Sequence, residues 1–155
     1  MQSPYLGASV LNSPVALIVT ESNLRANVAT ISFFSEVAHH PTTLWISIAN
    51  GSLTHEMLRS TGRFTLTVLH EGQRQIAQSC GTISGRLIDK TKCLTLQRAE
   101  GHLYFAEGLA SVACSVRSTF DLSDHTLFVA DILAGKIETR NSYRRHLLVS
   151  DLLEC

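Results

Sequence analysis

Residues 27–34 of this chain read NVATISFF, and they raise the question of why a strand would use several short polar side chains. The β-branched and aromatic residues of the segment favour a strand. Thr30 and Ser32, however, stand where valine or isoleucine would serve a strand that only built a core. Their hydroxyl groups either face solvent on an alternating strand or approach a ligand, and the pattern by itself favours solvent.

Composition indicates one globular domain that spans residues 1–155. Apolar residues make up 45% of the chain and charged residues 17%, a balance that is typical of folded proteins and not of disordered ones. A chain of this length can bury a core without disulfides or metals. Lys plus Arg equals Asp plus Glu at 13 each, so no net field favours nucleic acid or an anionic membrane as a partner.

The sequence carries no targeting or membrane signal. The N-terminal residues MQSPYLGASVLNSP lack the basic start and apolar stretch of a signal peptide. No apolar run approaches the roughly 20 residues that a membrane-spanning helix needs. We therefore expect a cytoplasmic protein that does not cross a membrane.

Cysteine and histidine spacing argues against a metal or redox centre. The four cysteines are Cys80, Cys93, Cys114 and Cys155. They are too far apart for a CxxC pair, so we expect free thiols. His39 and His40 are adjacent, but they precede Pro41 in a predicted turn. Because zinc needs about four ligands brought together, we expect no metal site.

Periodicity along the chain is mostly that of strands. The β-rich segments are PVALIVT at 14–20, NVATISFFSE at 27–36, TTLWISIAN at 42–50, RFTLTVLH at 63–70, GLASVACSVRS at 108–118 and HTLFVADILAGKIE at 125–138. Six or more strands with only short helices predict a mainly β fold. We expect a closed or nearly closed barrel, since closure removes exposed sheet edges.

Two short helices and a loop are predicted between the strands. The segment LTHEMLRSTG at 53–62 places Leu53, Met57 and Leu58 on one helical face and ends at Gly62. The segment GQRQIAQSCG at 72–81 is predicted to be a second helix that also ends at a glycine. The polar stretch at 82–92 is predicted to be a loop that is mobile or becomes ordered on binding.

The C-terminal segment RRHLLVSDLLEC at 144–155 carries an apolar stripe. The stripe consists of Leu148, Val149, Leu152 and Leu153. It either closes one end of its own barrel or packs against a second copy of the chain. We expect the second arrangement, and hence a dimer.

Taken in this order, the segments resemble the flavin reductase-like family. The resemblance covers about residues 14–137 and is carried by the Asn-x-Ala-Thr-x-Ser-x-Phe strand at 27–34, the strand–Thr–helix–Gly–x–Phe segment at 42–64, and Asp124-His125 before an apolar strand. The chain has Pro41-Thr42, Asp89-Lys90-Thr91 and Ser123-Asp124-His125 where Pro-Pro, Asp-Lys-Phe and Gly-Asp-His are usual. The resemblance implies an FMN-binding split β-barrel of Greek-key type with a few short helices.

A bound flavin would explain the short side chains of the opening segment. The flavin ring is flat and has carbonyls and nitrogens along one edge, so a strand beside it needs short side chains and accessible N–H groups. Hydroxyls such as those of Thr30 and Ser32 can hydrogen-bond ring or ribityl oxygens. The flavin-binding residues that the resemblance implies are Asn27, Val28, Ala29, Thr30 and Ser32, with Ser47, Ile48 and Ala49 under the ribityl chain.

The segment NGSLTHEM at 50–57 is a candidate site for the flavin phosphate. Gly51, the hydroxyls of Ser52 and Thr54, and the start of a helix suit an anion, and His55 would add a cation. Ser52 is equally suited to cap the helix, and the two roles are compatible. We expect replacement of Thr54 by valine to weaken FMN binding and to leave the fold intact.

The resemblance implies hydride transfer from NADH or NADPH to FMN, with an oxygenase or a redox protein as the acceptor. His125 is the candidate proton donor, and a structural hydrogen bond is its alternative role. The alternatives to a flavin reductase are a flavoredoxin-like carrier or ferric reductase that holds FMN tightly, and a non-catalytic flavin- or haem-binding protein. The resemblance also implies a homodimer with each flavin near the subunit boundary.

Overall fold

The computed structural model describes residues 11–153, and strands predominate over short helices within this range. The strands are β1 (Ala16–Glu21), β2 (Ala26–Ile31), β3 (Phe34–His39), β4 (Thr42–Ala49), β5 (Arg63–Val68), β6 (Leu96–Ala99), β7 (His102–Phe105), β8 (Ala110–Asp121) and β9 (His125–Ile137). The α-helices are α1 (Leu53–Thr61), α2 (Arg74–Thr82) and α3 (Val149–Leu153). The mainly β fold that the sequence predicts is confirmed.

Seven of these strands form one antiparallel sheet in the order β2-β1-β5-β8-β9-β4-β3, while β6 and β7 form a separate hairpin. The edge strands β2 and β3 follow each other in the sequence. No ladder joins them within residues 11–153, so the wall of the barrel is split between these two strands and is not closed.

The split falls inside the segment at 27–36 that the sequence predicts to be one strand. Ser32 and Phe33 interrupt it, and the carbonyl of Phe33 accepts a hydrogen bond of 2.9 Å from the N–H of Ser47. The chain thereby leaves β1, the partner of β2, and continues as β3, which pairs with β4. The prediction of one continuous strand was wrong, because the two halves of the segment serve opposite edges of the sheet.

The inner core lies inside the curved sheet. It combines buried residues of the central strands with Leu58 of α1, and the largest fully buried members include Ile18, Ile46 and Phe128. Ala29 and Ile31 of β2 and Phe34 of β3 pack against the same core. Because both edge strands contact one core, the sheet curls into a barrel even though no hydrogen bonds close it.

An outer core lies on the opposite face of β1. Leu17 and Val19 of that strand pack outward with residues of α2, β7 and the C-terminal segment, whereas Ala16 and Ile18 point inward. Both faces of β1 are therefore buried, which explains why the segment at 14–20 reads as an unbroken apolar run and does not alternate.

Helix α1 begins and ends as the sequence predicts. The Ser52 hydroxyl accepts a hydrogen bond from the N–H of His55, and Gly62 ends the helix in the left-handed conformation with φ 66°. Leu53, Met57 and Leu58 are buried on one face. The helix closes one end of the barrel, where the Thr20 hydroxyl of β1 points at the sulfur of Met57.

Helix α2 does not end at its glycine. It continues through Gly81 to Thr82, and the following Ile83 is extended, so the prediction of a glycine stop was wrong. Gly81 instead permits close approach to β2, because a Cβ there would lie 3.3 Å from the Cβ of Thr30. The glycine serves packing between helix and strand, and a left-handed turn is not needed here.

The C-terminal apolar stripe packs largely on its own chain. Leu147 and Val149 are buried in the outer core, and Leu152 packs against it. The backbone of Leu147 is hydrogen-bonded to Val15 and Leu69. The expectation that this stripe faces a second copy was wrong, because α2 and β1 leave an apolar surface that the stripe covers. Leu153, the last residue of the stripe, is 63% exposed.

The remaining sequence expectations concern thiols, metals and membranes. Cys80, Cys93 and Cys114 are free, whereas Cys155 lies outside the described residues. His39 and His40 lie at the turn between β3 and β4. Residues 11–153 contain no cluster of three metal-ligating side chains, and none of their helices is long and apolar enough to span a membrane.

Replacing Leu147 by alanine tests whether the C-terminal segment belongs to the fold. Leu147 is 0% exposed, so we expect the variant to lose about 2–5 kcal/mol of unfolding free energy. The matched control is Leu153→Ala, at an exposed position of the same segment, which should change stability by less than about 0.5 kcal/mol. Urea unfolding followed by tryptophan fluorescence measures both. Equal, small losses would mean that the segment is a surface appendage.

Candidate functional site

A cavity of about 310 Å³ lies where β2, the start of α1 and the end of α2 meet. Its lining comes from Asn27, Ala29 and Thr30 of β2, from residues 51–54 at the start of α1, from residues 80–86 at and after the end of α2, and from Lys90. The cavity thus brings together six residues that the sequence indicates as flavin or phosphate contacts: Asn27, Ala29, Thr30, Gly51, Ser52 and Thr54.

Asn27 and Thr54 join two walls of the cavity. The Asn27 amide donates a hydrogen bond of 3.0 Å to the Thr54 hydroxyl, and both side chains are buried at 4% exposure. The Thr54 hydroxyl accepts this bond and keeps its own hydrogen for another acceptor. The pair therefore fixes β2 to α1 and leaves a donor available beside the cavity.

The start of α1 supplies the cavity with backbone donors. Ser52 donates its hydroxyl hydrogen to the carbonyl of Ala49 at 2.9 Å and accepts from the N–H of His55 at 3.1 Å, so it acts as the helix cap. The first N–H groups of a helix have no partner within the helix, and the helix dipole makes this end favourable for an anion. Residues 51–54 thus form a wall suited to a phosphate or carboxylate.

Thr30 faces α2 and not solvent. Its hydroxyl donates a hydrogen bond of 2.6 Å to the carbonyl of Ala77, and its side chain packs beside Gly81. The solvent-facing alternative that the pattern favours is therefore wrong for this residue. Thr30 anchors α2 against β2 and borders the cavity between them.

The segment after α2 closes the cavity from the outside. The Arg25 side chain donates to the carbonyl of Gly85 at 2.6 Å. A Cβ on Gly85 would lie 1.9 Å from Oδ1 of Asn27, so this position packs directly on the amide and has no room for a side chain. These two contacts hold the backbone of the segment against β2.

Two cations of the same segment line the cavity. Lys90 donates from Nζ to the carbonyl of Cys80 at 2.8 Å, and burial lowers the pKa of its ammonium group. The Arg86 guanidinium forms an ion pair of 2.6 Å with Glu56 of α1. The segment after α2 thus places positive charge at two points of one cavity.

Residues 80–86 and Lys90 were missed as site residues by the sequence analysis, which assigned only a loop to 82–92. The available signal was the combination of Gly81, Gly85 and two cations within a polar stretch. Their neighbours are Asn27, Thr30 and Thr54, which lie at least 26 positions away in the sequence. Local patterns could not connect them.

His55 does not line the cavity. Its Nε2 lies 3.0 Å from the Thr126 hydroxyl, which itself donates to Oδ1 of Asn50 at 2.7 Å. His55 therefore donates this bond. Burial, and secondarily the charge of Arg59, lower the pKa of His55 below its ordinary value. The expectation of a phosphate-binding cation at this residue was wrong, because the ring is turned towards β9 and burial disfavours its charged form.

The other predicted flavin-binding residues lie around the cavity and not in its lining. The side chains of Val28 and Ile48 are buried in the outer and inner core, respectively. Ser47 pairs with β9 and donates its N–H to Phe33, and Ala49 accepts the Ser52 hydroxyl. Ser32 lies in the link between β2 and β3.

His125 lies at the start of β9 and pairs with Ala49 of β4. Its Nδ1 is 2.9 Å from the carboxylate of Asp124, and this hydrogen bond lowers the pKa of Asp124. The imidazole packs against the ring of Phe33 with centroids 5.5 Å apart. Its orientation is thus fixed beside the split between β2 and β3, outside the lining of the cavity.

Two further cavities border the β6–β7 hairpin. They measure about 280 and 180 Å³, and strand and turn residues line them. Neither lining includes a helix start, so both lack the converging N–H groups that an anion needs. The cavity between β2, α1 and α2 is therefore the better candidate for an anionic ligand.

Comparisons with known proteins relate the fold to flavin chemistry. The family model described as "Flavin reductase like domain" matches residues 8–150. The NADH-dependent flavin reductase StyB of Pseudomonas fluorescens is 30% identical over 105 residues, which are 68% of this chain and 59% of that protein. The chain thus spans less than two thirds of the length of that relative.

Solved structures share the split-barrel architecture. An FMN-binding protein from Thermus thermophilus superposes with a TM-score of 0.82 at 22% identity, covering 91% of this chain and 80% of that one. The styrene monooxygenase flavin reductase from Pseudomonas putida S12 gives a TM-score of 0.76 at 25% identity and covers 83% of each chain. The predicted split β-barrel is confirmed.

Replacing Thr54 tests the bond that joins the walls of the cavity. From the sequence alone, Thr54→Val is expected to leave the fold intact, but in the structure this change leaves the buried amide of Asn27 without its hydrogen-bond acceptor. We expect a loss of about 1–3 kcal/mol in unfolding free energy. Thr54→Ser keeps the oxygen and is the matched control. Urea unfolding that shows both variants to be equally stable would contradict a role for this hydrogen bond.

Proposed function

The chain belongs to the flavin reductase-like family, and from this premise we propose that it binds FMN in the cavity between β2, α1 and α2. We propose further that it reduces the flavin with hydride from NADH or NADPH. The observation that carries the proposal is the meeting, in one cavity, of a helix start with cations and short strand side chains. A phosphorylated, flat and partly polar ligand requires this combination.

The cavity offers a phosphate end and a ring end. At the phosphate end, the first N–H groups of α1 converge near the free hydroxyl hydrogen of Thr54 and the guanidinium of Arg86. At the ring end, Ala29 and Thr30 present short side chains, and Gly81 adds no bulk. We propose that these two ends hold the polar tail and the flat ring of FMN, respectively.

FMN supplies the hydride-accepting chemistry when it is bound, and the chain binds, orients and electrostatically tunes it. Lys90 places a partly desolvated positive charge at the end of α2. A cation near the flavin ring favours the reduced, negatively charged form of the cofactor. Burial of the Asn27–Thr54 pair limits water at the inner wall.

His125 is proposed to deliver a proton near the flavin. The Asp124 carboxylate and the Phe33 ring hold the imidazole at the split of the barrel. With Nδ1 engaged by Asp124, Nε2 is the nitrogen that remains to exchange a proton. An imidazole held in this way can pass a proton to a neighbouring group through that nitrogen.

FMN is preferred over FAD in this proposal because the ligand tail ends against the start of α1. A terminal phosphate satisfies the converging N–H groups with its oxygens, whereas a diphosphate ester would have to carry an adenosine past Arg86 and Glu56. The cavity volume of about 310 Å³ lies at the lower end of the usual range for ligand sites.

The acceptor of the reduced flavin is proposed to be an oxygenase or another redox protein. The relative from Pseudomonas fluorescens is an NADH-dependent flavin reductase, and the structure from Pseudomonas putida S12 is the flavin reductase of a styrene monooxygenase. A reductase that supplies an oxygenase is therefore the arrangement with the most direct support.

A titration with FMN tests the proposed function. We expect the folded protein to bind FMN more tightly than FAD by isothermal calorimetry, and NADH or NADPH to bleach the yellow complex under anaerobic conditions. Gly85→Ala should weaken FMN binding, because its Cβ would displace the Asn27 amide, whereas Gly135→Ala meets only ordinary contacts and serves as the control. Absence of heat with FMN would contradict the proposal.

A homodimer is also proposed, on the outer face of the β8–β9–β4 part of the sheet. On this face Phe120 lies beside Leu127, which pairs with Ser47, and Trp45 pairs with Val129. Phe120 is 55% exposed. Helix α2 and the C-terminal segment cover the opposite side of the barrel. An apolar sheet face of this kind suits a second copy, and His125 lies at the start of β9, one of its strands.

Light scattering across a dilution series tests the dimer. We expect a dimer for the wild type and a monomer for Phe120→Glu, because a charge at an exposed position disrupts an apolar interface without disturbing the core. Leu24→Glu is the matched control, since Leu24 is 94% exposed in the turn between β1 and β2. A monomer mass for the wild type at every concentration would overturn the proposed interface.

A further inference from the structure

An ion pair crosses the mouth of the candidate flavin cavity. Arg86, from the segment after α2, places a guanidinium nitrogen 2.6 Å from the carboxylate of Glu56 in the first turn of α1. The same nitrogen lies 3.5 Å from the carbonyl of Gly51, at the start of that helix. Arg86 lines the cavity, whereas Glu56 does not.

We propose that this pair is an exchangeable latch. Arg86 leaves Glu56 for the phosphate of the incoming flavin, and Glu56 is an internal competitor that sets how strongly the site prefers a phosphorylated flavin over an unphosphorylated one. This inference rests on the proposed function and adds a specificity-determining pair to it.

The exchange is favourable because the pair is weakly held. The side chains of Arg86 and Glu56 are 46% and 64% exposed, and ion pairs this open to solvent contribute little to stability. A phosphate carries nearly two negative charges and three acceptor oxygens. It also matches the fork of a guanidinium in a bidentate geometry, so it outcompetes a single exposed carboxylate.

Glu56 competes for the same electrostatic environment as the phosphate. Its carboxylate lies in the first turn of α1, where the helix dipole stabilises a negative charge. A phosphate bound at residues 51–54 would occupy the same end of the helix. The carboxylate and the phosphate repel each other, and binding must overcome that repulsion.

The exchange requires only a side-chain movement. The backbone beside Arg86 is held by the hydrogen bond from Arg25 to Gly85 and by the packing of Gly85 on Asn27. The guanidinium is already within 3.5 Å of the helix start. A change of rotamer therefore transfers Arg86 from Glu56 to a phosphate, and the segment after α2 keeps its place.

Fluorescence titrations with FMN and with riboflavin test the latch in four proteins. Arg86→Met should weaken FMN binding by about tenfold to a hundredfold. Glu56→Gln removes the competitor and should tighten FMN binding by about twofold to fivefold. Neither variant should change the affinity for riboflavin, which has no phosphate.

The matched control is Asp121→Asn. Asp121 forms a similarly exposed ion pair of 2.6 Å with Arg59 at the other end of α1, and neither residue lines the cavity. The substitution makes the same change in net charge as Glu56→Gln and should leave FMN affinity unchanged.

Each alternative result has a distinct meaning. Equal effects of Glu56→Gln and Asp121→Asn on FMN binding would overturn the latch, because only net charge would then matter. Equal weakening of FMN and riboflavin by Arg86→Met would also overturn it, because Arg86 would then position the loop and not select the phosphate. A wild type that binds neither flavin would instead refute the proposed function on which the latch rests.

Discussion

The burial of β1 on both faces is the constraint on which the rest of the structure depends. A strand that is apolar on both sides needs a layer above and a layer below it. The curled sheet with α1 supplies one layer, and α2, β7 and the C-terminal segment supply the other. The residues that cover β1 therefore come from distant parts of the sequence, and their arrangement follows from where that strand must be covered.

The candidate site lies where these two layers meet at the edge of the sheet. Asn27 points to α1 of the inner layer, and Thr30 bonds to α2 of the outer layer. Because successive residues of β2 face opposite sides, one short strand contacts both helices. The start of one helix and the end of the other then converge beside it, and the cavity between them joins anion-binding groups to a flat strand edge.

The sequence predicted the parts of the fold that depend on local chemistry. The cap at Ser52, the stop at Gly62 and the strands β5, β8 and β9 follow from short-range rules, and the structure contains them. The break at Ser32 and Phe33 was missed because its cause is a hydrogen bond to β4. Gly81 looked like a helix stop because a local pattern cannot distinguish a left-handed turn from close packing.

The candidate site was predictable in part for the same reason. Two short motifs contain four residues of the cavity and made them predictable: Asn27, Thr30, Ser52 and Thr54. Arg86 and Lys90, in contrast, reach the cavity only through tertiary packing. The C-terminal stripe was predicted to contact a second copy of the chain. An amphipathic pattern shows that an apolar face must be covered, but it does not identify the surface that covers it. The buried position of Leu147 is set by its hydrogen bonds to Val15, just before β1, and to Leu69, both over 70 positions away.

The split between β2 and β3 has a consequence for the behaviour of the protein at high concentration. Open strand edges are templates for uncontrolled strand addition and aggregation. The turn at Lys90–Cys93 lies beside β2. β3 breaks its register with a bulge between Glu36 and Ala38 and carries a charge on its exposed side. A neighbouring turn at one edge and an irregular, charged strand at the other are features that disfavour strand addition to the open barrel.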